Sequence, residues 1–311
     1  MPTTARKLLM NLVKNNISPK YFNFLKAKYL NLTSKRKEEN IKKSKVVEIG
    51  GIRLIAPSNH LVHYIHLTQP FRDDCLGIIV KVMGNQYPYK RVLDIGANIG
   101  DSCAYIRKYS KVPIYCVEPH ELFYSYLIKN VSNLGNIENI YQVFIDDGSI
   151  YNGSLVNTSE STARFVENHY GKQISTYKIA DLKVKDIGLV KIDTDGFDFS
   201  IILNNLDFLC KEKPLVFFEN EIRQEDHLIK SNRVIDSLYE ANYKYWLVFD
   251  DRGYLLLGTQ DKNDIYHLNK YLLQTWLHDK DKRIYNYDIL AVPESDYNIF
   301  LELRNFYLQN G

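Results

Sequence analysis

The residues of this chain best suited to chemistry are acids placed where apolar strands end. Val92-Leu93-Asp94-Ile95-Gly96-Ala97-Asn98-Ile99-Gly100 reads as a buried strand closing on a carboxylate, then a small-residue loop that opens a helix. Glycines let a backbone approach a ligand closely, and the start of a helix offers unpaired N–H donors. A dinucleotide site would use G-x-G-x-x-G with an apolar residue where Asp94 stands. The G-x-x-x-G spacing here, after a carboxylate, suits a cationic or hydroxylated ligand better than a pyrophosphate. The next strand ends Tyr115-Cys116-Val117-Glu118-Pro119, and an acid at that tip accepts hydrogen bonds from both hydroxyls of a ribose. Asp94, Gly96, Asn98, Gly100, Glu118 and Pro119 thus outline a nucleoside site.

Two later strands also end in acids. Leu189–Ile192 reads as a fourth strand ending at Asp193, followed by Thr194-Asp195-Gly196-Phe197-Asp198; Pro214–Phe218 reads as a fifth, ending Glu219-Asn220-Glu221. In a doubly wound sheet these strands are neighbours, so their tips are expected at one rim. Asp193, Asp195 and Glu219 are the candidate catalytic residues, because a carboxylate there takes the proton from a hydroxyl nucleophile. Asp193, Glu219 and Asn220 also form a hard-oxygen set suited to Mg²⁺, and both chemistries stay open. The plainer alternative has Asp195 and Asp198 capping the following helix while Glu219 holds substrate. A calcium loop is excluded: counted from Asp193, Gly196 falls at position 4 and Asn204 at position 12, where Gly at 6 and Glu at 12 are required. His60, His63 and His66 would share one helical face, yet three ordinary, partly buried histidines are the preferred reading over a metal site.

These acids need a scaffold, and the pattern supplies one. From residue 91 onward short apolar strands alternate with helical patterns: Arg91–Ile95, Val112–Val117, Ile140–Ile145, Leu189–Ile192 and Pro214–Phe218, then late strands Tyr245–Phe249 and Asp288–Val292. That order predicts an α/β, doubly wound, mostly parallel sheet covered on both faces, with ligands beyond the carboxyl ends of the strands. Residues 46–56 read as a hairpin around Gly50-Gly51. The expected organisation is a basic helical arm (1–45), a hairpin and helix subdomain (46–89) and a main domain (90–311). With 45% hydrophobic and 25% charged residues in 311, the chain has ample material for a core, which excludes disorder throughout. Four scattered cysteines without a C-x-x-C pair argue against a disulfide framework or zinc ribbon and for a reducing, cytoplasmic setting. No apolar stretch is long enough to span a bilayer, and the N-terminal clusters are too interrupted for a secretory signal. Residues 1–45 carry 12 basic and 2 acidic residues against 28 and 35 in the remainder, a +10 arm on a −7 body. A solvated helical appendage is the first reading of that arm; peripheral attraction to an anionic membrane is the functional one. Nucleic acid is not expected as a partner, because the body is acidic and no recognition motif occurs.

Three segments, Asp94–Gly100, Glu118-Pro119 and Val190–Asp198, resemble the class I S-adenosylmethionine-dependent methyltransferases, and within them the FkbM family. Where that family usually carries I-D-x-E-G-x-E, this chain has Asp195 and Asp198 in place of the glutamates, keeping charge but one methylene shorter. The resemblance covers roughly residues 90–295. It implies a Rossmann-like, seven-stranded sheet with an antiparallel late strand, S-adenosylmethionine as cofactor, and O-methylation of a hydroxyl on a glycan, glycolipid or natural product. Asp146 and Asp147 are then candidates for the adenine amino group, with surface turn residues as the alternative, and Mg²⁺ is the second candidate cofactor. The polar insertion Ser149–Phe165 would form a substrate-facing hairpin. Two rival functions are a metal-dependent glycosyltransferase using Asp193-Thr194-Asp195, and a nucleoside-binding module without turnover.

Overall fold

The computed structural model describes residues 44–69, 71–72, 74–157, 161–168, 171–279 and 284–310. The helices and basic linker expected before residue 44 lie outside the described residues. A hairpin comes first, β1 (Ser44–Ile49) and β2 (Ile52–Pro57). Gly50 and Gly51 both sit at positive φ, 55° and 83°, as a tight two-residue hairpin turn demands. Helices α1 (Val62–Thr68) and α2 (Asp74–Gln86) lead to β3 (Arg91–Ile95), α3 (Asp101–Tyr109), β4 (Ile114–Val117), α4 (Glu121–Val131) and β5 (Ile137–Tyr141). Four strands follow without a helix longer than one turn: β6 (Phe144–Ile145), β7 (Ile150–Asn157), β8 (Ala163–Glu167) and β9 (Lys172–Tyr177). The chain then returns through β10 (Ile187–Ile192), α5 (Asp198–Asn204), α6 (Leu206–Glu212), β11 (Leu215–Asn220) and α7 (Glu225–Glu240). It closes with β12 (Tyr243–Asp250), β13 (Leu255–Thr259), α8 (Lys262–His278), β14 (Tyr287–Pro293) and α9 (Tyr297–Asn310).

The main sheet is ordered β13-β12-β14-β11-β10-β3-β4-β5. From β11 to β5 the pairing is parallel; β14, β12 and β13 are antiparallel. The chain leaves β3 toward β4 and β5, then crosses back to β10, so the topological switch lies between β3 and β10. Register aligns the tips there: Ile95 pairs with Val117 and with Ile192, and Ile192 with Phe218. Gly96, Glu118, Asp193 and Glu219, each one residue further, therefore emerge along one rim. Every residue of β10 and all of β3 after Arg91 are buried, as central parallel strands must be. Alternation along the strands sends Leu93, Ile95, Val190 and Ile192 into one core with α5, α7 and α8. Val92, Leu189, Leu215 and Phe217 enter the other, with α2, α3, α4 and α9.

The sheet has eight strands, not the expected seven. The addition is β13, an edge strand joined to β12 by the Asp250–Tyr254 turn, where Tyr254 N–H and Gly253 N–H both return to Asp250. The third strand is Ile137–Tyr141 rather than Ile140–Ile145; Phe144–Ile145 belongs to a separate four-stranded sheet, β6-β9-β7-β8. The expected hairpin in the insertion is the β7–β8 pair of that sheet, with β9 along the other side of β7.

The β1–β2 hairpin packs Val47, Ile49, Leu54 and Ala56 against Ile99, Tyr105, Phe123 and Tyr126. Asn130, 3% exposed, pins it in place. Its amide accepts from Ile55 N–H (2.7 Å) and donates to the carbonyls of Ile55 (2.8 Å) and Ile99 (2.7 Å).

Candidate active site

Gly96, first beyond β3, has φ +83°, and a Cβ there would lie 1.8 Å from the Asp193 carbonyl oxygen. Only glycine lets the β3 and β10 tips approach so closely. Gly100, at φ +91°, serves packing instead: a Cβ there would press on Leu127 and Val131 of α4. Asn98 also takes a left-handed conformation (φ 48°), and its N–H donates to Glu118 Oε2 at 2.9 Å. Glu118 Oε1 accepts His120 N–H at 2.7 Å. Each oxygen keeps a second lone pair, so the carboxylate that braces the loop still has acceptors for a diol. Burial pushes the Glu118 carboxyl up to about 7, against the pull of the His120 and Asn98 amides.

The Asn98 side chain links the loop to neighbouring segments. It meets His60 Nε2 through Oδ1 at 3.2 Å and donates to the Ser161 carbonyl at 2.8 Å, tying the glycine loop to the insert. His60 accepts Val62 N–H on Nδ1, so its proton sits on Nε2. His60 precedes α1, His63 is exposed and His66 pairs with the Tyr105 hydroxyl, so the three histidines share no face.

Asp94 is fully buried and braces the site from behind. Ser102 Oγ donates to its Oδ2, and Lys191 Nζ stands 3.1 Å from Oδ1. Lys191, itself 5% exposed, donates to the Gly96 carbonyl at 2.9 Å and lies 3.6 Å from Asp193. Burial alone would lower the Lys191 ammonium, but Asp94, Asp193 and Asp101 hold it well above its usual range. One buried cation thus joins the β3 and β10 tips, a role the residue-by-residue reading missed. A lysine inside the apolar run Ile187–Ile192 was the available signal, since a charge in a buried strand requires a partner.

A narrow cleft of about 570 Å³, counted to its mouth, runs along these tips. Gly96, Asn98, Glu118, Pro119 and His120 form one side, Asp193, Thr194 and Asp195 the far end, and Phe144 and Phe165 of the insert lie across it. Phe144 packs edge-on against Phe197 at 4.8 Å, joining the insert to the loop before α5. His120 Nδ1 is buried at this cleft without a hydrogen-bond partner. The diol-accepting acid, the glycine cradle and this orphaned nitrogen fit a nucleoside cofactor. Asp146 is not among the cleft residues. Its carboxylate is spent on Tyr151 OH (2.6 Å), Ser200 Oγ (2.6 Å) and Asn204 Nδ2 (2.7 Å), locking the insert to α5, which corrects its expected place at an adenine. Asp147 closes a turn with Ser149 and Thr176.

The loop after β10 curls around Asp198. Thr194 Oγ1 (3.1 Å) and Gly196 N–H (3.4 Å) donate to Asp198 Oδ2, while buried Oδ1 has no partner. Asp195 turns the chain at φ 54°. Burial, then the neighbouring acids Asp193 and Asp198, raises the Asp195 carboxyl to about 8. Asp198 rises to about 7 through burial and Asp193, and Glu219 rises well above the carboxylate range through burial and the same two acids. Asp193, Asp195 and Glu219 do converge on one rim. Asn220 does not join them. Adjacent strand residues point to opposite faces, and its amide accepts from Ser231 Oγ (2.6 Å) and donates to Asn269 (2.8 Å). With Asn220 removed from the expected set, and Lys191 beside Asp193, the donors do not fit Mg²⁺. Among the described residues no group of three or more His, Cys, Asp or Glu is arranged to hold a metal ion.

A Rossmann-like sheet with an acid after its second strand, a glycine loop after its first and carboxylates at the switch point defines a class I methyltransferase type of protein. Residues 94–253 match the methyltransferase FkbM domain, and the chain belongs to that family. Among solved structures, the FkbM methyltransferase of Methylobacillus flagellatus KT is 13% identical, over 65% of this chain and 43% of its own length, with a TM-score of 0.34. The chain thus spans less than half of that protein. The plantazolicin methyltransferase BpumL, solved with S-adenosylhomocysteine, is 11% identical over 74% of this chain and 87% of its own (TM-score 0.40). The Pyrococcus abyssi tRNA (uracil-54, C5)-methyltransferase is 11% identical over 80% and 44% (TM-score 0.39). No curated protein matches the sequence. Membership of a methyltransferase family stands against the glycosyltransferase reading of Asp193-Thr194-Asp195.

Proposed function

We propose that this protein is an O-methyltransferase acting on a hydroxyl of a saccharide acceptor. The observation that carries the reading is the position of Asp193. It lines the cofactor cleft, its side chain is 54% exposed, and its backbone carbonyl packs directly against Gly96 of the glycine loop. S-adenosylmethionine, when bound, supplies a methyl group on a positively charged sulfur, an electrophile that needs alignment rather than activation. The protein's task is to hold the acceptor oxygen in line and remove its proton. Asp193 is the base in this reading, with Lys191 fixing its carboxylate. Asp195, whose carboxyl is raised to about 8, donates hydrogen bonds to neighbouring hydroxyls and accepts from them, and Glu219, raised well above the carboxylate range by burial and the nearby acids, stands beside it. Glu118 and the Gly96 loop hold the nucleoside, and the aromatic insert keeps water from the reacting atoms.

Methyl transfer from isotopically labelled cofactor into extracted cell-surface glycans tests this. Labelled saccharide heavier by one methylene unit, absent with Asp193→Asn, supports it; label found only on nitrogen or carbon, or on no saccharide, overturns it. The +10 charge of residues 1–45 favours an acceptor presented at an anionic membrane surface. Sedimentation with anionic vesicles at low salt, lost on removing residues 1–43, is the expected outcome. Equal sedimentation without them would remove the membrane from the proposal.

A further inference from the structure

Behind the carboxylate rim lies a second cleft, larger than the first, at about 1060 Å³ counted to its mouth. It opens between α5 and α7 and shares the β10–α5 loop with the cofactor cleft: Asp193, Thr194 and Asp195 line one, Gly196 and Asp198 the other. Its two walls carry opposite charge. On one, Asp198 is 5% exposed and its Oδ1 has no hydrogen-bond partner; Glu219 stands beside it at the tip of β11. On the other, α7 presents His227, Lys230 and Arg233 at i, i+3 and i+6, one face of a helix. Lys230 pairs with Asp226 on its own helix at 2.7 Å, and Glu221 at the cleft edge is taken by Arg223. Arg233 and His227 have no hydrogen-bond or ion-pair partner among the described residues.

Acids and cations that line one cleft without meeting across it call for a bridging molecule. We propose that this cleft binds the methyl acceptor, and that the acceptor is an anionic sugar, carrying a carboxylate or phosphate as well as hydroxyls. The hydroxyl end meets Asp198 and Glu219, next to the acids that border the cofactor cleft. The anionic end meets Arg233 and His227, where a guanidinium forks onto two oxygens of either group. The volume matches the few hundred to roughly 1,000 Å³ typical of small-molecule sites. This rests on the methyltransferase reading for the word acceptor, but not for the binding itself.

Calorimetric titration of the full chain with glucuronate, glucose 6-phosphate and glucose separates the cases, with S-adenosylmethionine titrated into the same preparations. The expected result is binding of at least one anionic sugar roughly tenfold or more tighter than glucose, lost toward the glucose value in Arg233→Ala and only partly recovered in Arg233→Lys, which restores the charge without the fork. Glucuronate binding alone marks a sugar acid, and glucose 6-phosphate alone a sugar phosphate. Arg233 is exposed on α7, so its replacement leaves the core intact; His227→Gln is the second variant and should weaken the same sugar. Glucose binding as tightly as both anionic sugars, or anionic-sugar affinity unchanged in both variants, overturns the proposal. Failure of cofactor binding with retained anion binding would instead strike the methyltransferase reading and leave this cleft standing.

Discussion

Glu118 braces the Asn98 loop, and in the proposed reading it also offers acceptors to a ribose; the two tasks can be separated. Glu118→Ala should lose charge-assisted hydrogen bonds worth about 1.5–3 kcal/mol, roughly 10- to 150-fold in cofactor affinity by calorimetry. Unchanged affinity would remove Glu118 from the site. Lys191 permits a sharper test. Lys191→Met leaves Asp94 buried and uncompensated, at a cost of about 3–5 kcal/mol in denaturant unfolding. Adding Asp94→Asn should recover part of that loss, because the double variant buries no lone charge. Strictly additive losses would show that the pair is not coupled. Gly96, Glu118 and Asp193 were legible because strand, acid and loop are consecutive in the chain. Lys191 was not, since it answers Gly96 across 95 residues. Asp146 misled for the same reason: an acid just after a strand looks available, but its carboxylate is consumed by residues up to 58 positions away.

At the scale of elements, the β1–β2 hairpin is held to the glycine loop by the Asn130 amide as well as by apolar packing on Ile99, so the loop's geometry depends on a segment outside the nucleotide-type motif. Asn130→Ala should orphan the Ile55 and Ile99 groups it serves, costing about 1–3 kcal/mol. Hydrogen exchange at the Ile55 amide should accelerate while the β3 and β10 amides stay protected; uniform acceleration would mean the whole fold had loosened instead. The parallel strands could be read because each is a short apolar run ended by an acid or a glycine. The antiparallel additions were legible only in part: the β7–β8 hairpin was expected from the polar insertion, whereas β9 and β13 were not. β8 exposes three of its five residues and β7 runs into a polar stretch, so neither shows the continuous apolar signal of a central strand. The Mg²⁺ set failed at this scale too, since adjacency in sequence put Glu219 and Asn220 together whereas the pleat of β11 turns them apart.

For the whole molecule, the topology legible in the sequence sets an electrostatic cost that composition does not reveal. A near-neutral chain gathers Asp193, Asp195, Asp198 and Glu219 at one rim because parallel strands in register deliver their ends to one place. Folding therefore moves several carboxyls from water into a crowded, partly buried cluster. Unfolded, they titrate near 3.9 for Asp and 4.3 for Glu. Folded, Glu118 and Asp198 hold protons to about 7, Asp195 to about 8, and Glu219 is raised as well. Between about pH 4 and pH 8 the folded state thus binds more protons than the unfolded state, so stability falls as pH rises through that window. Asp147, held below the usual range by the Ser149 hydroxyl and amide, works in the opposite direction below the window, and the His120 imidazole, lowered by burial, opposes the trend within it as one group against the four raised acids. The melting temperature of the cofactor-free protein should accordingly be higher near pH 5 than near pH 8. Asp198→Asn, which keeps the shape and removes one buried charge, should flatten that slope and raise stability at pH 8 most. A melting temperature that rises from pH 5 to pH 8, or a slope untouched by Asp198→Asn, would show that the rim acids are ionised and solvated in the folded protein, and the description of the rim as carboxyls that hold their protons would have to be abandoned.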